Sequence, residues 1–271
     1  MGFSCAFLFR IDSSLAPPDA MAVLRRFIVL KNLFVKALAV PPRGELARLM
    51  TQWTPDERAE FEAQLRQAFG NQAEKLGELG VWDEMNEAER EFMCALPLEI
   101  GVQKIIDNMW LSESAVCLLW SLGYVEELPP YDQQSNPQLT NRLPRESMKE
   151  LESKIALRPV ADIQRQREIA ELWHWRSRTR SLGNGEGASF RAPNGKTIEK
   201  IVQLSAQKAA EDGYIPPPID GDFAAFGKAY RNISDQEYFL ATSIAIERHR
   251  AFNWLCGYAP GNAWAQTPTD T

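Results

Sequence analysis

The stretch SDQEYFLATSIAIERHRAFNWLCG, residues 234–257, decides the fold class. Ser234, followed three residues later by Glu237, is a capping box, and Gly257 stands where a helix of this length ends. Between them Leu240, Ile244, Ala251 and Trp254 share one face of the predicted helix. Tyr238, Ala241, Ala245, Phe252 and Leu255 share another, and Phe239 and Ile246 cover most of the rest. A helix apolar around most of its circumference is buried by other helices. One turn breaks the pattern. Glu247, Arg248, His249 and Arg250 follow one another and put charge in every direction. A buried ion must be paired, because an isolated one costs several kcal/mol. Partners are expected from residues 171–180, from the 220–222 turn and from Asp270. His249 and Asn253, four apart, can address one ligand or one backbone group together.

Outward from this helix the text stays helical. Asp19 is placed to cap a helix that Pro41-Pro42 stops, and Thr54-Pro55-Asp56-Glu57 is a strong helix start. Phe61, Leu65 and Phe69 continue that helix until Gly70-Asn71, which is expected to interrupt it. Asn86 with Glu89 caps a short helix ending before Pro97. Val102–Leu122 is apolar on every side and reads as a second central helix. Residues 124–144 carry several prolines and read as a linker. Beyond it come a short charged helix at 145–155, a long one from Val160 to Leu182, and an amphipathic one from Thr197 to Asp212. No alternating strand pattern emerges, beyond one possible small hairpin near 188–197 tipped by Pro193-Asn194-Gly195. The expected architecture is an all-α compact domain of about seven or eight helices. It covers residues 19–271, with helical halves at 19–123 and 145–257 joined by the linker.

Composition narrows the function classes. The chain has 271 residues, 45% hydrophobic and 24% charged, with 30 basic against 36 acidic residues and a net charge of −6. That balance argues against nucleic acid as the partner, since phosphate binding needs a surplus of Lys and Arg. The acidity sits in the first half: residues 1–135 hold 12 basic and 20 acidic residues. The run 21–40 has Arg25, Arg26, Lys31 and Lys36 spread along it, too many charges for a membrane span. Cys5, Cys94, Cys117 and Cys256 form no CxxC pair, so a reducing, cytoplasmic setting is expected. Two histidines and scattered cysteines leave no metal motif, and no cofactor is expected.

The motif survey removes more. GxSxG and HExxH are absent, and the glycine-rich GNGEG at 183–187 leaves a helix rather than joining a strand to one. Asp220-Gly221-Asp222 begins like a calcium loop but lacks the remaining ligands, so a turn is expected. ELWHWRSRTR, 171–180, gathers aromatics and arginines; Arg167, Glu171, His174 and Arg178 fall on one helix face.

Four blocks carry a resemblance: LLWSLGYVEELPPYD at 118–132, VADIQRQREIAELWHWRSRTR at 160–180, PPPIDGDFAAFGKAYRNIS at 216–234, and ERHRAFNWLCGYAPGNAW with TPTDT at 247–271. Together they resemble the domain of unknown function 4272 family from about Leu24 to Thr271. The resemblance implies a mostly helical, cytoplasmic bacterial protein and brings no activity, ligand or catalytic residue. This chain departs from the family's WRxEA pattern, reading Trp110-Leu111-Ser112-Glu113-Ser114. The resemblance also makes residues 1–18 an expected extension that contributes little order.

Two functions compete on these residues. The first is a binding or interaction module, for a protein or a small molecule, with a polar cluster of Glu171, His174, Arg178, Asp220, Asp222, Glu247, Arg248, His249, Arg250 and Asn253. The second is a hydrolase-like enzyme in which Glu247 and His249 work with Asp220 and Asp222 in a cleft. Neither nucleic acid nor membrane is an expected partner.

Overall fold

The computed structural model describes residues 17–41, 44, 48, 50–183 and 195–271. Within them lie eight α-helices, and the only strands are two short ones. The helices are α1 (Ala20–Ala39), α2 (Pro55–Glu78), α3 (Glu87–Cys94), α4 (Val102–Ser121), α5 (Met148–Glu152), α6 (Val160–Gly183), α7 (Ile198–Glu211) and α8 (Asp235–Leu255). The all-α expectation therefore holds. Residues 188–194 of the expected hairpin and residues 1–16 of the expected N-terminal extension lie outside the described residues.

The chain forms two compact units. Ala20–Pro129 and Ser135–Leu157 make one; Pro130–Gln134 and Arg158–Thr271 belong to the other. In the first, α1 lies along α4. Val23, Leu24, Phe27, Leu30, Leu33 and Phe34 repeat at helical spacing on α1 and are buried, as are Leu111–Ser121 of α4 without a break. The first half of α4 is different: Val102 and Met109 are exposed. Apolar text on all sides therefore marks a central helix only from Leu111 onward.

Among the described residues of this unit the cations Arg26 and Lys36 are buried, and each has a partner. Arg26 pairs with Glu89, the capping-box glutamate of α3. Lys36 donates to the carbonyls of Met93 (2.5 Å) and Ala95 (2.8 Å) and sits 3.7 Å above the Phe69 ring. The last carbonyls of a helix have no intrahelical donor, so an ammonium at the end of α3 serves them. Burial brings the Lys36 amine down to about 8.

The structure corrects one boundary. α2 runs through Gly70-Asn71 without interruption. A helical glycine costs only about 1 kcal/mol, and the stretch beyond it is anchored by the bond from Gln72 to Asn32 of α1 (3.0 Å) and by buried Leu76.

In the second unit α6 lies along α8, with α7 also against α6. Before α8 the chain makes two tight reversals. Ile219 and Asp222 bridge across Asp220-Gly221, and strands β1 (Ala224–Ala225) and β2 (Lys228–Ala229) pair across Phe226-Gly227. All four turn residues have positive φ, which two-residue hairpin turns demand and glycine tolerates. These reversals place Asp222 and Tyr230 in the interior. Within 124–144, Tyr131 is buried in this unit, while Ser135 and Thr140 are buried in the first unit, where Pro137–Asn141 forms a 3-10 turn.

Candidate functional site

Every residue of the sequence-defined polar cluster lies in the second unit, on α6, on α8 or in the turn at 220–222. The Ser234–Glu237 box starts α8: the Ser234 amide donates to Glu237 (2.7 Å), and the Glu237 amide donates to the Ser234 hydroxyl (3.3 Å). On α6 the buried positions Ile163, Ala170, Trp173, His174 and Ser177 recur at helical spacing, so His174 faces inward.

Four side chains form a hydrogen-bonded line. The Arg167 Nε–H donates to Asn253 Oδ1 (2.9 Å), and the Asn253 Nδ2 donates to the Pro268 carbonyl (2.8 Å). A guanidinium only donates and a carbonyl only accepts, so the two contacts orient the amide from both sides. Asn253 Nδ2 also lies 2.9 Å from His249 Nε2, which must accept. The His249 proton is then on Nδ1, 3.0 Å from His174 Nδ1. His174 accepts there and carries its own proton on Nε2.

Both rings are neutral at pH 7. Burial lowers His174 to about 4, with Arg178 and Arg250 acting in the same direction and Asp270 against it. Burial lowers His249 to about 3, helped by His174 and Arg167. A metal ion held by the two Nδ1 atoms would need both lone pairs, and the line places a proton between them. Among the described residues no group of three or more His, Cys, Asp or Glu could hold a metal ion.

The remaining cluster residues take separate places. Asp222 is buried and closed: it receives both Arg176 nitrogens (2.7 Å each), the Phe223 amide (2.8 Å) and the Arg231 amide (2.9 Å). Burial would raise its carboxyl, but these donors, Arg176 first, leave it below the ordinary carboxylate value. Asp220 is exposed, and its carbonyl accepts from Arg231 (2.9 Å). Glu171 pairs with Arg167 one turn before it (3.2 Å). Glu247 pairs with Arg250 of its own helix (2.7 Å), and Arg178 is exposed. Fully buried Arg248 reaches the Gln133 carbonyl (3.4 Å) and lies over the Tyr131 ring (4.8 Å). Glu247 thus meets a partner on its own helix, and Arg248 meets the 131–133 stretch. Phe239, expected to help bury α8, is instead 57% exposed.

Sequence reasoning missed Arg167's bond to Asn253, the Pro268 carbonyl, and the Arg176–Asp222 pair. It also missed a recurrent contact: Arg165, Arg167, Arg176 and Arg180 of α6 lie over Tyr214, Tyr258, Tyr230 and Tyr238. An arginine every few residues on a half-buried helix was the available signal, and cation–π stacking is the chemistry it announced.

The family model described as "Domain of unknown function (DUF4272)" matches residues 18–188. The match includes α6 and His174 and ends before α8. No curated protein and no solved structure matches the chain. No helix among the described residues is long and apolar enough to cross a membrane.

Proposed function

The chain belongs to the domain of unknown function 4272 family, a membership that assigns no activity, and we propose from that premise that it is a binding module whose ligand site lies on the α6–α8 polar layer. The observation that carries this reading is the line Arg167–Asn253–His249–His174, in which each polar atom is oriented by the one before it. Orientation without basicity suits recognition. A general base works best with a pKa near the operating pH, and these imidazoles sit near 4 and 3. The carboxylates that a hydrolase would use are engaged elsewhere, Asp222 by Arg176 and Glu247 by Arg250. The cytoplasmic, bacterial setting stays with this proposal, on the cysteine spacing and the family resemblance.

The experiment is a two-dimensional amide NMR titration of the full chain with sodium acetate and with sodium phosphate, repeated on His174→Ala. Saturable shifts confined to α6 and α8, lost in a His174→Ala protein of unchanged melting temperature, are expected. Shifts scattered over the surface and indifferent to His174 would overturn the site. Turnover of ester or amide substrates that vanishes in His249→Gln would favour the enzyme instead.

A further inference from the structure

We infer that the His174–His249 contact is a proton-sensitive latch on the C-terminal segment, residues 268–271. Uptake of one proton makes Asn253 give up the Pro268 carbonyl, so acid frees the segment while α6 and α8 stay folded. The device goes beyond the binding reading and holds whatever the layer binds.

The latch follows from the hydrogens along the line. Asn253 Nδ2 carries two, one for the Pro268 carbonyl (2.8 Å) and one for His249 Nε2 (2.9 Å). Asn253 Oδ1 takes the Arg167 Nε–H (2.9 Å). The two Nδ1 atoms, 3.0 Å apart, share one hydrogen. Every contact thus has one donor and one acceptor, and a further proton on either contact finds no lone pair facing it. On His249 Nε2 it meets the Asn253 amide hydrogen. On His174 Nδ1 it meets the His249 hydrogen, and moving that hydrogen to Nε2 returns the conflict to Asn253.

The conflict is relieved at the weaker end. Both rings are buried, and parting them would part α6 from α8, which lie along one another. Relief at Asn253 needs only a half-turn of its amide. That turn presents Oδ1 to the protonated ring and Nδ2 to Arg167, and the bonds to Arg167 and Pro268 are both lost. Arg167 keeps Glu171 (3.2 Å) and the Tyr258 ring (4.4 Å). The C-terminal segment keeps less. Among the described residues, the bond from Asn253 is the only hydrogen bond of residues 268–271. A chain terminus stays ordered only while something ties it down.

The surrounding charges set where the latch opens. Burial is the main opposition to a proton on either ring. Arg178 of α6 and Arg250 of α8 add to it at His174, and Arg167 of α6 at His249. Asp270, on the segment itself, favours a proton on His174. His174, lowered to about 4, takes the first proton and His249, at about 3, the next, so opening belongs to acid.

An NMR titration of the full chain from pH 7 to pH 3 tests this. Histidine ring nitrogens read proton uptake, the heteronuclear NOE of the Thr269 and Asp270 amides reads order in the segment, and amide shifts of α6 and α8 read the fold. Expected is a loss of that NOE together with uptake of the first proton, with the shifts of α6 and α8 still those of the folded chain. In Asp270→Asn the segment is expected to stay ordered at pH 7 and to be freed at a lower pH, because the group that favours the proton is gone. Asn253→Asp puts an acceptor where the donor stood. Its segment is expected to be free already at pH 7, and its rings to take up protons at a higher pH than in the unaltered chain.

A segment that stays ordered once a ring is protonated overturns the latch, and so does one that loosens while both rings are neutral. Loss of the NOE only as α6 and α8 themselves unfold also overturns it, leaving the histidines to act on global stability alone. These three outcomes are read on the unaltered chain and need no variant to fold. A segment free at pH 7 in Asp270→Asn would assign its attachment to that carboxylate instead. Rings of Asn253→Asp that take up protons no more readily than before would remove Asn253 from the device. The acetate and phosphate titrations decide the binding reading separately.

Discussion

Arg176 meets Asp222 through two bonds of 2.7 Å, and this pair separates two aspartates that stand two residues apart in sequence. Asp220 stays exposed at the tip of its turn, while Asp222 is enclosed and accepts four bonds of 2.7 to 2.9 Å from Arg176, Phe223 and Arg231. Removing one member of a buried pair leaves the other charge without compensation. Asp222→Ala is therefore expected to lower stability by about 3–5 kcal/mol, and Asp220→Ala by less than about 0.5 kcal/mol beyond any cost of the turn. Urea denaturation of the two variants checks the contrast.

The histidine pair makes stability depend on acid in a defined window. Folded values near 4 for His174 and 3 for His249 lie below the ordinary 6.5. Above 6.5 both states are unprotonated, and the pair contributes no pH dependence. As pH falls below 6.5 the unfolded chain takes up protons first, so stability declines and goes on declining until the folded values are passed. The depressed carboxyl of Asp222 adds its own loss only below the unfolded aspartate range. Urea midpoints at pH 7, 6, 5 and 4.5 are expected to fall steadily, and His249→Gln is expected to flatten that slope. An unchanged slope in the variant would place the proton uptake elsewhere.

Lys36 offers a test on the other unit. Its ammonium serves the carbonyls of Met93 and Ala95 at the end of α3. Lys36→Met takes the ammonium from above the Phe69 and Phe92 rings and leaves those carbonyls without this donor. A loss of about 1–3 kcal/mol is expected, the usual cost of unsatisfied buried acceptors. Thermal unfolding of Lys36→Met beside Lys36→Arg measures it, and a gain in stability with Met would refute the capping role.

Ser234 governs the start of α8. Ser234→Ala removes one half of the capping box and is expected to cost about 1 kcal/mol. The Glu237 carboxyl, held down to about 2 by the Ser234 amide, Lys228 and the Ser234 hydroxyl, should keep most of its depression through the amide and Lys228. Carbon-detected NMR titration of Glu237 reads this directly: a small upward movement is expected, and a return to the ordinary glutamate value would mean that the amide contact depends on the hydroxyl.

The helices were legible where a local rule sufficed. Thr54, Asn86 and Ser234 each begin a helix with the box that their sequences announce. Local reading failed at Gly70, where contacts from another helix outweigh a weak local preference, and at Val102, where apolar residues face solvent. Among the candidate site residues, the spacing of His249 and Asn253 was readable, because a helix sets it. The meeting of His174 with His249 was not: 75 residues separate them, and no periodicity encodes which α6 face meets which α8 face.

By itself the sequence determined the helices, their starts, the burial of α8 and the crowding of charge at 247–250, because caps and periodicity act within a few residues of chain. Tertiary structure alone decided which of those charges close on one another. Asp222 became a partner of Arg176 and His174 of His249 through packing of distant segments, whereas Glu247 closes on Arg250 within its own helix. The physical reason is range: a hydrogen bond reaches about 3 Å, and only the folded chain brings residues tens of positions apart within it.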